Sequence, residues 1–422
     1  MLTPFPLLVP PSPAPSSEPP AGCVPGQDGI PDSAIGKLLC GTYATDAPGA
    51  ITAFVREHWP WLLAASLVVL AGWLAVAWLR QRAWHANAAQ ARWLEVTPPV
   101  TATPDATVGL WRLLATLLPA PRWWQLRPPR LVWEVHATTR GVSCGLWLPP
   151  GVNPTAATRL LHRAWPGVRT EQARPPSLGS HWPVAALALR PTRPDWLPLI
   201  DDPGPGGHRW GQHTEDDRLR AVFDGLAAAG RTGGGLLQIH VSRAPRHRLS
   251  ALRKATTRPG RLRRARGTAR VAGMLADGMR AVILAGLDFV TPGTSSRPRT
   301  SAHHDPGAAD LTRQARSKLA AAPHLLIAVH ATTTGPTRAA ARAAADDITS
   351  GFGLISAHLT RRRIRRSREA ARWRWIPTSR MHLAAVTEVA ALAGLPAEPA
   401  AYGLPAAASR RRPAGTATWS TP

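Results

Sequence analysis

From Trp61 to Leu79 the chain reads WLLAASLVVLAGWLAVAWL, with no charged residue. About 20 apolar residues at 1.5 Å rise cross a ~30 Å hydrocarbon core, so this run predicts a transmembrane helix over 58–80. A soluble core helix is rarely this long and apolar on every face. A cleaved signal peptide would begin near residue 1 with a basic segment. Here the first forty residues are rich in Pro and Ser instead. Trp61, Trp73 and Trp78 punctuate the run, and Arg80 and Arg82 follow it directly. The outer tryptophans of such a run suit an interfacial belt.

Charge divides sharply across this run. Residues 1–57 hold five acids against Lys37 and Arg56, a net of −3. The chain as a whole is +26, so the remainder carries +29. Positive charge is retained on the cytoplasmic side. The expectation is therefore a single-pass inner-membrane protein with its N-terminus outside and a basic body in the cytoplasm. An isoelectric point of about 11.7 favours polyanionic partners, either nucleic acid or the anionic leaflet.

Cys23 and Cys40 fall on the oxidising side, where a disulfide between them and two free thiols are both open. Cys144 falls on the cytoplasmic side, and no Cys/His cluster suggests zinc.

Beyond the span, the expected order is juxtamembrane helices (81–130), an α+β domain (131–244), a basic linker and helix (245–308), a second α/β unit (309–360), and a basic segment with a short helix and tail (361–422). The helix is expected to continue over Gln81–Leu94. Leu110, Trp111, Leu114, Leu117 and Leu118 recur at helical spacing, with Trp123 and Trp124 among arginines. That pattern fits a helix on the inner leaflet or one capping a domain. RLVWEVHATTR and VSCGLWLP, joined at Gly141, read as a hairpin. Asn153 or Thr155 can cap the helix that follows. Further strands are expected at VRTEQA, HWPVAALALR, 236–244, 324–332 and 352–359. Helices are expected at 216–229, 269–287, 309–321 and 336–350. The alternation predicts α+β units, of ferredoxin-like sandwich form, with a divergent duplication in view.

No stretch carries a catalytic signature. There is no GxxxxGK[ST] phosphate loop. Gly230–Gly235 precedes a strand and does not open a helix, which is the wrong place for a phosphate cradle. Gly141-Val-Ser-Cys-Gly145 matches GxSxG, but the elbow needs a helix directly after the turn, and a strand follows here. His303 and His304 lie in a Gly/Pro/Ser loop, and His136, His240 and His330 read as packed or surface residues on strands. The reading is of a non-enzyme without a cofactor. The one functional candidate by composition is the acid-free block Arg243, Arg246, Arg248, Arg253, Lys254, Arg258, Arg261, Arg263, Arg264, Arg266 and Arg270. It can neutralise DNA phosphates without reading sequence, dock on anionic lipid, or remain solvated.

Three stretches carry a resemblance. They are Pro129–Val135 through Gly141–Pro149 with Ala164–Gly167, the Arg-rich linker with Ala309–Ala328, and Glu388–Pro396. Together they resemble the N-terminal, non-ATPase region of actinobacterial TraG-type conjugative DNA-transfer proteins, relatives of type IV secretion coupling proteins that are often labelled type VI secretion protein. In that family a RecA-like motor follows; here the chain ends at Pro422 and Gly394 stands where the family has a His. The resemblance implies a membrane accessory subunit acting with a separate hexameric ATPase, contacting DNA and able to form a homo-oligomer. The other expectation is a membrane scaffold of a cell-envelope or protein-secretion system without a nucleic-acid role.

Overall fold

A computed structural model describes residues 43–119, 129–175, 178, 181–200, 217–257, 306–405 and 407. The chain divides into two compact units at Leu79/Arg80. Cys23, Cys40, Trp123, Trp124, the expected helix 269–287, His303, His304 and the block residues from Arg258 to Arg270 lie outside the described residues.

Helix α1 (Tyr43–Ala89) contains the apolar run. Within its segment Arg56–Ala89 an 18-residue window has a mean hydropathy of 2.3, and none of that window is buried in the protein. Trp61, Val68, Val69 and Trp73 are all more than 65% exposed. An apolar surface on every side of a helix this long is stable only in a non-aqueous medium, consistent with a single membrane anchor.

The helix expected over Gln81–Leu94 ends at Ala89, and Arg92–Thr97 is the first strand, β1. Helix α2 (Pro104–Leu117) follows. Thr103 caps it, accepting from the Ala106 amide, and Pro104 occupies the first turn, where no amide partner is needed. Leu110, Trp111 and Leu114 of α2 are fully buried, and the Trp111 indole donates to the Ala393 carbonyl at 3.0 Å. These residues therefore cap a domain core and do not face a lipid leaflet.

The first half of the sheet domain continues as β2 (Leu131–Thr138), β3 (Gly141–Leu148), α3 (Pro154–Ala164) and β4 (Arg169–Ala173). Asn153 caps α3, accepting from two amides. The second half runs β5 (Val184–Pro191), α4 (Arg220–Thr232), β6 (Gly234–Arg243), α5 (Arg246–Thr257), α6 (Pro306–Ala320), β7 (His324–Thr334), α7 (Arg338–Gly351) and β8 (Leu359–Arg363). Then come α8 (Ser367–Trp373), β9 (His382–Ala385) and α9 (Val386–Leu392). The strand expected at 352–359 is instead a 3₁₀ turn, and β8 lies downstream of it.

All named strands form one sheet in the order β4-β1-β3-β2-β6-β7-β5-β8, with β9 on β7 and every paired neighbour antiparallel. The units expected at 131–244 and 309–360 are thus one continuous sheet, joined through the β6–β7 and β5–β7 ladders, and the sheet divides instead about the β2–β6 ladder into halves β1–β4 and β5–β8. Reading outward from that ladder, each half presents its second, third, first and fourth strand, as a divergent duplication related by a local twofold would. At the centre of the ladder Glu134 pairs with Gln238. The flanking sequences correspond in the same sense: Glu134-Val-His136 against Gln238-Ile-His240.

The two faces of the sheet differ because side chains alternate along each strand. Trp133, Val135, Leu237, Ile239, Val329 and Ala331 point into the main core, beneath α2, α3, α4, α7 and α9. The other face carries Glu134, His136, Gln238, His240 and His330, all buried. It is flanked by two small apolar clusters: Leu252, Ala255 and Ala315 of α5 and α6 with Met381 and Leu383, and Trp84, Trp93, Val132 and Trp147. The GxSxG stretch is the β2–β3 hairpin. Gly141 has φ 124°, and a Cβ on Gly145 would collide with the Trp93 indole.

Candidate nucleic-acid interface

β8 is an edge strand reading LTRRR, and its residues after Leu359 are exposed. Charged edges of this kind resist strand addition by a second chain. β8 pairs with β5, placing Arg362 opposite Ala188 and Arg363 opposite Leu187. Helix α7 begins nearby, capped by Thr337, whose hydroxyl accepts from the Ala340 amide. Arg338 and Arg342 are one turn apart on it, so they share a face.

These elements enclose a cleft of about 270 Å³, lined by Val184–Leu187, Arg338, Arg342, Asp346, Arg363, Arg365 and Ser367. The four lining arginines are exposed. Among the described residues, none of the four is in an ion pair, whereas Asp346 is taken by Arg361 at 3.2 Å. Forked guanidinium donors converging on one concavity match the geometry of phosphate oxygens. Among the described residues no aromatic side chain lines the cleft, so these offer no platform for base stacking.

The block singled out from composition is distributed differently. Arg243 ends β6, while Arg246, Arg253 and Lys254 are exposed on or beside α5. Arg248 is half-buried and paired with Asp195, which His382 also approaches at 3.5 Å. That arginine therefore ties α5 to the segment after β5 and is not free for phosphate. The cleft arginines belong to other elements: Arg363 and Arg365 lie within or beside the second basic run, and Arg338 and Arg342 on what reads as an Ala-rich helix. Nothing in the sequence pattern joins those two segments, because the β5–β8 and α7 packing that unites them is tertiary.

The buried polar face contains the strongest electrostatics. Arg374, in the left-handed region at φ 55°, donates to Glu134 from Nε at 2.6 Å and from Nη2 at 2.9 Å. His136 meets the same carboxylate at 3.1 Å and Gln238 donates to it at 2.7 Å. Burial pushes the Glu134 carboxyl up, but Arg374 and His136 outweigh it and hold the group well below the usual carboxylate range. A second buried pair joins Lys318 of α6 to Glu388 of α9 at 3.2 Å. Glu388 also accepts from the Ala385 and Leu199 amides, and Lys318 donates to the Leu197 and Leu383 carbonyls. With their valences filled inside the protein, these pairs fix the fold and offer no reactive group to solvent.

The Cys144 thiol is buried and directed at the Val96 carbonyl. Burial, aided by Glu95, pushes it far above the usual thiol range, so it is no nucleophile. Among the described residues no group of three His, Cys, Asp or Glu side chains is placed to hold a metal ion.

No protein-family model matches this chain, and no curated protein matches it in sequence.

Proposed function

We propose that this protein is a non-enzymatic, membrane-anchored accessory subunit of a conjugative DNA-transfer or type IV secretion-like machine. In this reading α1 anchors it in the cytoplasmic membrane with the N-terminus outside. The sheet domain lies in the cytoplasm, each half following the ferredoxin-like βαββαβ order, and works with a separately encoded hexameric ATPase. DNA is bound without sequence preference, through phosphates.

The observation that carries this reading is the arginine-lined cleft between α7, β5 and β8. Four unpaired guanidinium groups supply phosphate contacts, and the lack of aromatic neighbours favours backbone recognition over base readout. The resemblance of Pro129–Pro149 and Glu388–Pro396 to the non-motor region of TraG-type proteins supplies the machine.

Purification of the full chain from its own membranes in mild detergent tests the partnership. Recovery of a hexameric ATPase with DNA-stimulated turnover is the expected result. Recovery of envelope or protein-secretion components with no nucleotide-hydrolysing partner would replace this reading with that of a scaffold.

A further inference from the structure

Arg130, immediately before β2, is fully buried, and none of its three guanidinium nitrogens has a hydrogen-bond partner. Among the described residues its close compensation is the Trp84 ring, whose centroid lies 5.2 Å from Cζ. A ring face replaces a small part of the hydration a guanidinium gives up. His240 is likewise fully buried with both ring nitrogens unpartnered, and His330 packs edge-on against it at 5.1 Å.

The strand register places these groups together. Val132, two residues after Arg130, pairs with His240, and His330 pairs with Gln238 next along the same face. Burial lowers the proton affinity of both histidines and the Arg130 charge lowers it further, as expected of groups in one environment.

The one acid of this buried layer among the described residues cannot serve Arg130. Glu134 already accepts twice on each oxygen, from Gln238 and Arg374 on one and from His136 and Arg374 on the other, which fills its four acceptor positions. The corresponding position in the other half holds Gln238, a neutral amide. Glu134 stands in the same half as Arg130, yet its carboxylate is committed to Arg374 of the other half, and Arg130 is left without a counter-charge.

We propose that Arg130 and His240 form a buried oxyanion site between β2 and β6, taking one small anion of phosphate or carboxylate geometry. The anion accepts from the Arg130 fork and from a His240 ring N–H. It occupies the electrostatic role that Glu134 plays toward Arg374.

Thermal unfolding of the full chain in detergent tests this, with phosphate and acetate titrated separately against chloride at constant ionic strength. The expected result is a saturable rise of about 5 °C with one of the two oxyanions, which identifies the source. Arg130→Met and His240→Leu each remove the saturable rise, leaving only the linear salting effect. Arg130→Met unfolds no lower than wild type in oxyanion-free chloride, because it removes an unpaired buried charge. Arg342→Gln, in the surface cleft, keeps the rise, which separates this site from DNA binding. Two results overturn the proposal: no saturable rise with either anion, or a rise that survives both Arg130→Met and His240→Leu. If Arg130→Met does not fold, His240→Leu decides.

Discussion

Gln238 donates to Glu134 across 2.7 Å, and the same two residues pair directly on the β2–β6 ladder. They are the point where the two halves of the sheet meet. The carboxylate there holds Arg374 and with it the turn after α8; Gln238 Nε2 also reaches the Ala371 carbonyl at 3.0 Å. One acid therefore binds two strands and the segment that crosses over them.

Glu134→Gln leaves Arg374 buried without its counter-charge. The expected loss is about 3–5 kcal/mol of stability, as for other broken buried pairs. Glu134→Gln combined with Arg374→Met recovers most of that loss, since no uncompensated charge remains. Denaturant unfolding of the full chain in detergent measures both.

Stability falls on acidification in two stages. His330 is pushed down to about 3 by burial, assisted by Arg130, Arg190 and Arg380, so it stays neutral in the fold but takes a proton when unfolded. Its contribution is complete above the unfolded value near 6.5 and fades as pH falls from there toward 3. Glu134, held low, contributes fully above its unfolded value near 4.5 and loses that contribution below it. Burial also holds His240, His382 and His324 below the ordinary histidine value, so His330→Leu should lessen the slope below pH 6.5 by one histidine's share without removing it, and the Glu134 loss below pH 4.5 remains. Unfolding midpoints at half-unit pH steps provide the check.

Close packing of α4 against α7 depends on glycine. A Cβ on Gly351 would lie 2.5 Å from the Val222 amide nitrogen, and one on Gly225 would lie 3.1 Å from the Ile348 Cα. Backbone atoms cannot yield as a flexible side chain can. Gly351→Ala should cost about 1–3 kcal/mol. Gly109, in the interior of α2, has open space around it, and Gly109→Ala should stabilise by about 0.5–1 kcal/mol. Paired thermal melts of the two variants distinguish the close approach from a general effect of alanine.

The parts of the fold legible in the sequence are those with strong local signals. The β2–β3 hairpin shows its alternation and its Gly141 turn, and α3 shows Asn153 and Pro154 at its start. β1 was not legible: RWLEVT follows a long helix with no glycine or proline between them, so nothing local marks the change. β8 was hidden because LTRRR carries arginine at successive positions, and an exposed edge lacks a period-two pattern. The buried layer was hidden for another reason. Glu134, Gln238, His330 and Arg374 are far apart in the chain, and only strand pairing shows that they share one face.

The most direct test of the central claim is the salt dependence of DNA binding by the full chain, compared with Arg342→Gln/Arg363→Gln/Arg365→Gln. Each phosphate contact contributes about −0.9 to the slope of log affinity against log salt on duplex DNA. The account predicts sequence-independent binding whose slope falls in magnitude by about 2.7 in the triple variant, with unfolding temperature unchanged. An unaltered slope and affinity in that variant, or binding to anionic vesicles with none to DNA, would contradict it.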